Sequence, residues 1–234
     1  MRPLPTPAPT DDLYLHLTPT LRSLALRGVV RSYPKKSVLI NEGDDGDSVF
    51  ILLKGSVKVF SMDESGREIT YGKIQAGDYF GEMSLDGGTR SASVMTLEPC
   101  TCAVLTRHNV SEHLTVEPEF AIDLVAQVIR RARAATEVAR NMALLGVHSR
   151  LVAVLEENLD PSHYASPTKR QSPTAKPTLL EPYIIKPITH QDIAGRIGAS
   201  REAISRVLKE LERSGHLILS HKRITLLKKL PDRY

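Results

Sequence analysis

The stretch Pro118-Glu-Phe-Ala-Ile-Asp-Leu-Val-Ala-Gln-Val-Ile-Arg-Arg-Ala-Arg-Ala-Ala-Thr-Glu-Val-Ala-Arg-Asn-Met-Ala-Leu-Leu145 decides how the rest of this chain is read. Steps of four and three residues from Ala121 pass through Val125, Val128, Ala132, Ala135, Ala139 and Met142, an unbroken apolar seam of the coiled-coil kind. Pro118 suits a first helical turn, where its missing N–H costs nothing, and Glu119 complements the positive end of the helix dipole. Neither Gly nor Pro interrupts before Gly146, so the pattern predicts a helix over 118–145. At about 1.5 Å per residue it would run roughly 42 Å. Such a helix is either a long amphipathic core helix or a two-fold dimer axis. Ala at four of the seven seam positions lets a second helix approach closely and leaves little surface to bury against a sheet, which favours the dimer axis.

Upstream the texture changes. After a Pro- and Thr-rich tail, a helical pattern at 15–26 is interrupted by Pro19, and Arg31 and Tyr33 lead into a strand-like Ser37-Val-Leu-Ile40. Short β-rich runs follow at 48–53, 56–60, 68–71, 91–96 and 101–106, with Gly43, Gly46, Gly55, Gly66 and Gly77 at turn positions. This spacing predicts a small barrel or roll, with Asp63-Glu-Ser-Gly66 as a hairpin loop. Its densest segment is Gly77-Asp-Tyr-Phe-Gly-Glu-Met-Ser-Leu-Asp-Gly-Gly-Thr-Arg-Ser-Ala-Ser93. A helical turn starting near Gly81 would offer free N–H groups, Arg90 a forked guanidinium and Ser91 a hydroxyl, a set suited to phosphate. Glu82 would then accept from a sugar hydroxyl. The alternative is a Glu82–Arg90 salt bridge that closes a surface loop.

Downstream, 147–158 reads as an amphipathic helix with Leu151, Val154 and Leu155 on one face. Residues 160–182 carry five prolines among Ser, Thr and Lys and read as an exposed loop. Thr189-His-Gln-Asp192 is a capping-box pattern before Ile193 and Ile197, Gly198 ends that helix, and Ser200 caps another that stops at Gly215. Two short helices around a three-residue turn make a helix-turn-helix. Ile204, Val207, Leu208 and Leu211 would be its buried face; Arg201, Glu202, Ser205, Arg206 and Lys209 share the other. Arg201 and Arg206 are suited to guanine O6 and N7, and Glu202 to cytosine N4. The competing reading is a solvated charged face on a structural hairpin. Leu217-Ile-Leu219 and Ile224-Thr-Leu-Leu227 are two apolar runs about a turn that holds His221.

Composition narrows the function. Residues 186–234 hold eleven Lys or Arg against five Asp or Glu, so the whole excess of the +4 net charge sits at this end and points to a polyanion, most often nucleic acid. Cys100 and Cys102 are the only cysteines. As i and i+2 on a strand they read as buried thiols, and no Cys or His set completes a metal site. They fit a reducing cytoplasm, and no apolar run reaches the length of a membrane span. The scattered histidines and the lack of triad or paired-carboxylate spacing argue against an enzyme.

Glu42-Gly43, Lys54-Gly55-Ser56-Val57 and Gly81-Glu82 followed by Arg90-Ser91-Ala92 resemble the cyclic-nucleotide-binding roll of the cyclic AMP receptor protein and fumarate-nitrate regulator family of bacterial transcription regulators. Ser200-Arg-Glu-Ala-Ile-Ser-Arg206 is similar to the recognition-helix signature of the same family. The resemblance implies an α+β chain in four parts: a tail at 1–14, a double-stranded β-helix (the β-roll) at 15–116, a dimerisation helix at 117–146 and a winged helix-turn-helix at 147–234. It implies a cyclic nucleotide as effector, with no obligatory cofactor. Glu82 would meet the ribose 2′-hydroxyl and Arg90 the cyclic phosphate, with Ser91 and the backbone of Gly81, Glu82, Met83 and Ser84 completing the pocket. Registering Ala126-Gln-Val-Ile-Arg-Arg131 on the family's central helix puts Ala135 and Thr136 where the family presents two hydroxyls to the base. One hydroxyl survives, which leaves cyclic AMP, cyclic di-GMP or an inherited empty site as readings.

The same resemblance implies a second copy of the chain, RNA polymerase and double-stranded palindromic DNA with TGTGA-like half-sites as partners, and no membrane. Thr189, Gln191 and Ser200 would hold phosphates, joined from the wing by His221. The iron-sulfur and haem branches do not fit, because residues 1–99 hold no Cys and no His lies between His16 and His108. The rivals are a ligand-independent DNA binder and a nucleotide-binding regulatory subunit that docks a protein.

Overall fold

The computed structural model describes residues 11–160, 183–220, 223–228 and 230–231. The chain divides into two compact units whose border falls inside one long helix, between Val138 and Ala139, with the hairpin residues Met62–Ile69 grouped with the second.

The first unit begins with a 3-10 turn at Asp11–Tyr14 and helix α1, Pro19–Ala25. Pro19 does not interrupt this helix, as the sequence suggested, but opens it: Thr18 is the N-cap and accepts from Leu21 N at 3.3 Å. A proline ring set near the helical φ is favourable at that first position. Eight strands follow: β1 Val29–Tyr33, β2 Val38–Ile40, β3 Ser48–Lys54, β4 Ser56–Met62, β5 Glu68–Gln75, β6 Tyr79–Phe80, β7 Ser93–Thr96 and β8 Cys100–Thr106. They form two four-stranded sheets, ordered β1-β8-β3-β6 and β2-β7-β4-β5. This is the roll expected from the spacing of short strands. The hairpin between β4 and β5 is closed by Asp63 and Arg67, with Gly66 at φ +77°.

The apolar run of β3 is buried on both faces, and its alternation divides the core in two. Val49, Ile51 and Leu53 pack with Leu21, Leu24, Leu105 and Phe120; Phe50 and Leu52 turn the other way toward Val57, Phe80, Cys100 and Cys102. Phe50 and Phe80 stack with ring centroids 5.1 Å apart. Both cysteines are free and buried, and desolvation pushes both thiols up. Helix α2, Arg107–Val116, closes the first core with Val110, its N-cap Thr106 completing a capping box with Asn109.

Helix α3 spans Glu119–Leu144, 26 residues, about 39 Å at about 1.5 Å per residue. Only Phe120 and Gln127 of it are buried. The seam residues Ala121, Val125, Val128, Ala132, Ala135 and Ala139 are all exposed, and Ile122 and Ile129 widen the bare apolar face.

The second unit continues with α4 Val147–Glu157, β9 Tyr183–Ile184, α5 His190–Ile197, α6 Arg201–Arg213, β10 Leu217–Ser220 and β11 Arg223–Leu226. The last two strands pair antiparallel, and β9 adds to β11. Leu151, Leu155, Ile193, Ile204, Leu208 and Leu226 make one core. Gly198, at φ +62°, supplies the left-handed residue that ends α5. The proline-rich loop expected at 160–182 lies, but for Asp160, outside the described residues.

Candidate functional site

Two groups of residues carry chemistry, one in each unit. In the first, β6 leads into Gly81, whose φ of +86° turns the chain sharply into a short 3-10 turn, Glu82–Ser84. A Cβ at Gly81 would stand 2.9 Å from the Ser48 carbonyl and 2.9 Å from Arg90 Nη1, so the turn needs glycine on both counts. The turn forms one wall of a cleft in the roll. Ile40, Phe80 and Val94 supply its apolar lining; Glu82, Arg90, Ser91 and Arg131 supply its polar one.

Arg90 is 8% exposed. Its guanidinium donates to the Gly81 carbonyl at 3.0 Å, to Ser84 Oγ at 2.8 Å and to Ser48 Oγ at 3.0 Å. Burial lowers its proton affinity, opposed by Asp47, Asp44 and Glu82, and guanidinium stays charged through any such shift. Ser84 relays the arrangement by donating to Gly81 O at 3.1 Å. Gly46 lets Arg90 lie this deep: a Cβ there would fall 2.4 Å from Arg90 Nε.

Glu82 is 4% exposed, and one of its oxygens lies 2.5 Å from Arg131 Nη1. The contact is an ion pair without hydrogen-bond alignment, and neither carboxylate oxygen has another aligned donor among the described residues. Charge is therefore balanced while the lone pairs stay open to a hydroxyl. The salt bridge weighed from the sequence, Glu82 to Arg90, is not what closes this loop. Arg131 of α3 is the partner, and it also donates to the Tyr79 carbonyl. Sequence reasoning misses Arg131 and Ser48 as site residues because they join the cassette from elsewhere in the chain. The one signal is the register of 126–131, which carries Arg131 as its last residue.

The remaining expected ligand residues divide. Ser91 and Met83 line the cleft, the Ser91 hydroxyl resting on Met83 Sδ at 3.5 Å. Thr136 does not line it: the side chain is exposed on α3 and its hydroxyl donates to the Ala132 carbonyl at 2.9 Å.

In the second unit, Thr189 and Ser200 are the N-caps of α5 and α6, accepting from Asp192 N at 3.0 Å and Ala203 N at 3.1 Å. The Thr189 hydroxyl also donates to Asp192 at 2.8 Å, and Gln191 beside it is exposed. On α6, Arg201, Glu202, Arg206 and Lys209 are exposed. At about 100° per residue they share roughly 140° of circumference, an arc that excludes the buried Ile204, Leu208 and Leu211. Ser205 is drawn inward, donating to the Arg201 carbonyl at 2.9 Å and meeting His190 Nδ1 at 3.0 Å, which ties α6 to α5. Burial and the nearby Arg201 hold His190 below its ordinary proton affinity. His221, expected on the wing, lies outside the described residues.

Comparison with known proteins gives these two groups their setting. Residues 30–115 match the model of the cyclic nucleotide-binding domain and residues 163–230 that of the Crp-like helix-turn-helix domain. Roll, long helix and reader thus define a DNA-binding transcription regulator that carries a cyclic nucleotide-binding domain. The chain is 33% identical over 207 residues to the cAMP-activated global transcriptional regulator CRP of Pasteurella multocida, covering 88% of this chain and 92% of that protein. It is 32% identical over 191 residues to the cAMP-activated global transcriptional regulator Vfr of Pseudomonas aeruginosa, covering 79% and 83%. Its fold matches that of the c-di-GMP responsive global regulator CLP of Xanthomonas campestris with a TM-score of 0.72 at 24% identity, covering 88% and 97%. The chain belongs to the CRP/FNR family, which comprises transcription regulators rather than enzymes. Among the described residues no helix is long and apolar enough to cross a membrane, and no cluster of three metal-binding side chains occurs.

Proposed function

We propose that this chain is a homodimeric, cytoplasmic, sequence-specific regulator whose DNA affinity is switched by a cyclic mononucleotide, cyclic AMP first among the candidates. The observation that carries this reading is the buried Glu82 carboxylate, charge-balanced by Arg131 yet open as an acceptor, beside the buried guanidinium of Arg90. Glu82 accepts the ribose 2′-hydroxyl; Arg90 and Ser91, with the backbone of Gly81, Met83 and Ser84, take the cyclic phosphate. With Glu82 and Arg131 balancing each other, Arg90 supplies the positive charge that faces the phosphodiester. Cyclic AMP is the activator named for the curated relatives at 32% and 33% identity. Thr136 meets the base from α3, one helix of the pair contributing to its partner's cleft.

The roll is placed at 15–116, the dimer helix at 117–146 and the reader at 147–234. The bare apolar face of α3 supports pairing with a second copy. Bound nucleotide favours the state in which two α6 helices face successive turns of a palindrome. Arg201, Glu202 and Arg206 read TGTGA-like half-sites, while Thr189, Gln191, Ser200 and His221 hold phosphates. RNA polymerase is the further partner.

Calorimetric titration with cyclic AMP, cyclic GMP and cyclic di-GMP tests the reading. One mononucleotide is expected to bind at micromolar concentration and to lose about a hundredfold in Arg90→Ala, the scale of a lost charge-assisted contact. Binding of cyclic di-GMP alone would move the effector to the molecule named for the Xanthomonas protein of the same fold. No binding by any of the three would leave the roll a scaffold and the chain a ligand-independent DNA binder.

A further inference from the structure

Behind Arg131 lies a chain of polar groups that neither phosphate nor ribose recognition uses. Gln127 of α3 is 8% exposed. Its amide nitrogen donates to both oxygens of Asp78, at 2.8 Å and 3.0 Å, and its amide oxygen accepts from Arg130 Nε at 3.0 Å and from Nη2. Chemistry fixes which end of the amide is which: a guanidinium only donates and a carboxylate only accepts, so the oxygen must face Arg130 and the nitrogen Asp78. Asp78 also accepts from Tyr79 N at 2.8 Å.

Arg131 stands between two carboxylates. Glu82 is 2.5 Å from one guanidinium nitrogen and Asp78 is 3.8 Å from the other. Asp78 is the more exposed of the two, with its side chain 40% accessible against 1% for Glu82, so it is the less costly to move. What keeps it from taking the cation is that Oδ1, its oxygen nearest Arg131, already accepts from Gln127 and from the Tyr79 N–H.

We propose that Gln127 is a positioning residue for ligand selection: by engaging both oxygens of Asp78 it leaves Arg131 to Glu82, and so sets the preference of the cleft for a nucleotide with a free 2′-hydroxyl. This rests on the reading of Glu82 as the ribose acceptor. With Gln127 removed, Asp78 draws Arg131 away. Glu82 then loses the cation that holds it in place, and its acceptance of the 2′-hydroxyl weakens. Contacts to the phosphate are untouched.

The test is the ratio of dissociation constants for 2′-deoxy cyclic AMP and cyclic AMP, measured by calorimetry on the full chain. Wild type is expected to favour the ribonucleotide by roughly tenfold or more, the scale of a hydrogen bond to a charged group. Gln127→Leu should bring the ratio below about threefold by weakening the ribonucleotide alone, leaving the deoxy compound within about twofold of wild type. Gln127→Glu, isosteric and so the safer fold, sets a like charge beside Asp78 and should lower the ratio too. The double variant Gln127→Leu/Asp78→Asn removes the competitor and should restore it, which a merely structural role for Gln127 would not do. An unchanged ratio in both single variants, or no restoration in the double, overturns the role of Gln127. A wild-type ratio near one, or no binding of cyclic AMP, overturns the ribose reading of Glu82 and this proposal with it.

Discussion

His113 is fully buried where α2 turns toward α3, its ring edge-on to Phe120 at 5.3 Å and 3.9 Å from the Glu117 carboxylate. Glu117 also receives the Ser23 hydroxyl, so the histidine sits inside the joint between α1 and α2. Desolvation lowers its proton affinity, Arg27 adds to the effect, and Glu117 opposes it. The unfolded chain, with a histidine near 6.5, therefore binds more protons than the folded one as pH falls. Stability should be full above that value, decline as pH drops through the window down to the lower folded value, and then level. One such group contributes a slope of at most about 1.4 kcal/mol per pH unit. His190 is shifted the same way, so the contribution of His113 is read as the difference between wild type and His113→Gln in urea melts from pH 7.5 to 4.5. A variant with the wild-type slope would remove His113 from the account. At this scale the sequence exposes what is local. Glu82 and Arg90 stand within one Gly-bounded segment, so their place in one cleft is legible in the order of residues alone. Arg131, Ser48 and Gln127 come from other elements and meet the cassette only through the fold, and a buried histidine has no signature in a row of polar residues.

The long helix makes the sharpest demand at the level of elements. Ile122 is 74% exposed, Val125 57%, Val128 37% and Ile129 44%, all on a helix that buries only two residues of its own. Covering such a face with a second copy removes apolar surface worth about 25 cal/mol per Å². A charge at its centre must then be buried without a partner. Val128→Asp should turn a dimer into a monomer at micromolar concentration in sedimentation velocity while far-UV circular dichroism stays unchanged. A variant that remains dimeric would shift the pairing surface away from this seam. The helix is legible because its 4-3 spacing runs unbroken from Ala121 to Met142, and the observed beginning differs by a single residue, at Glu119. Helix α2 is not legible. In Arg107–Val116 the only apolar residues inside the fold are Val110 and the partly buried Leu114, too thin a stripe to declare a period, and its buried face is completed by His113. Strand β6 is two residues long, Tyr79–Phe80, and no alternation can be counted in two. Pro19 misleads for a physical reason as well: the same ring that breaks a helix interior begins one when the residue before it can cap.

For the whole molecule, the proposed pairing through α3 and reading through α6 make a joint demand on the DNA. The basic excess is confined to 186–234, so attraction to phosphates acts on the reader alone and is blind to sequence. On the proposed reading specificity comes from Arg201, Glu202 and Arg206 in two copies, and a rigid two-fold pair can seat both only when half-site centres lie about one helical turn, roughly 34 Å, apart on one side of the duplex. Adding about five base pairs between half-sites turns the second through roughly half a revolution, out of reach. Specific binding of the effector-bound protein should then fall to the level of random DNA, while a spacer longer by about ten base pairs restores the facing and leaves only the added distance to bridge. Arg206→Ala should cost about 1–3 kcal/mol per half-site and flatten the preference at one base pair. It should leave the salt dependence on random DNA close to wild type, because that slope counts phosphates and not bases. Gel-shift titrations on the three spacers at two salt concentrations separate these effects. Equal affinity on all three spacers would mean that the two readers are not held by one axis, and the proposed role of α3 in joining effector to DNA would fall.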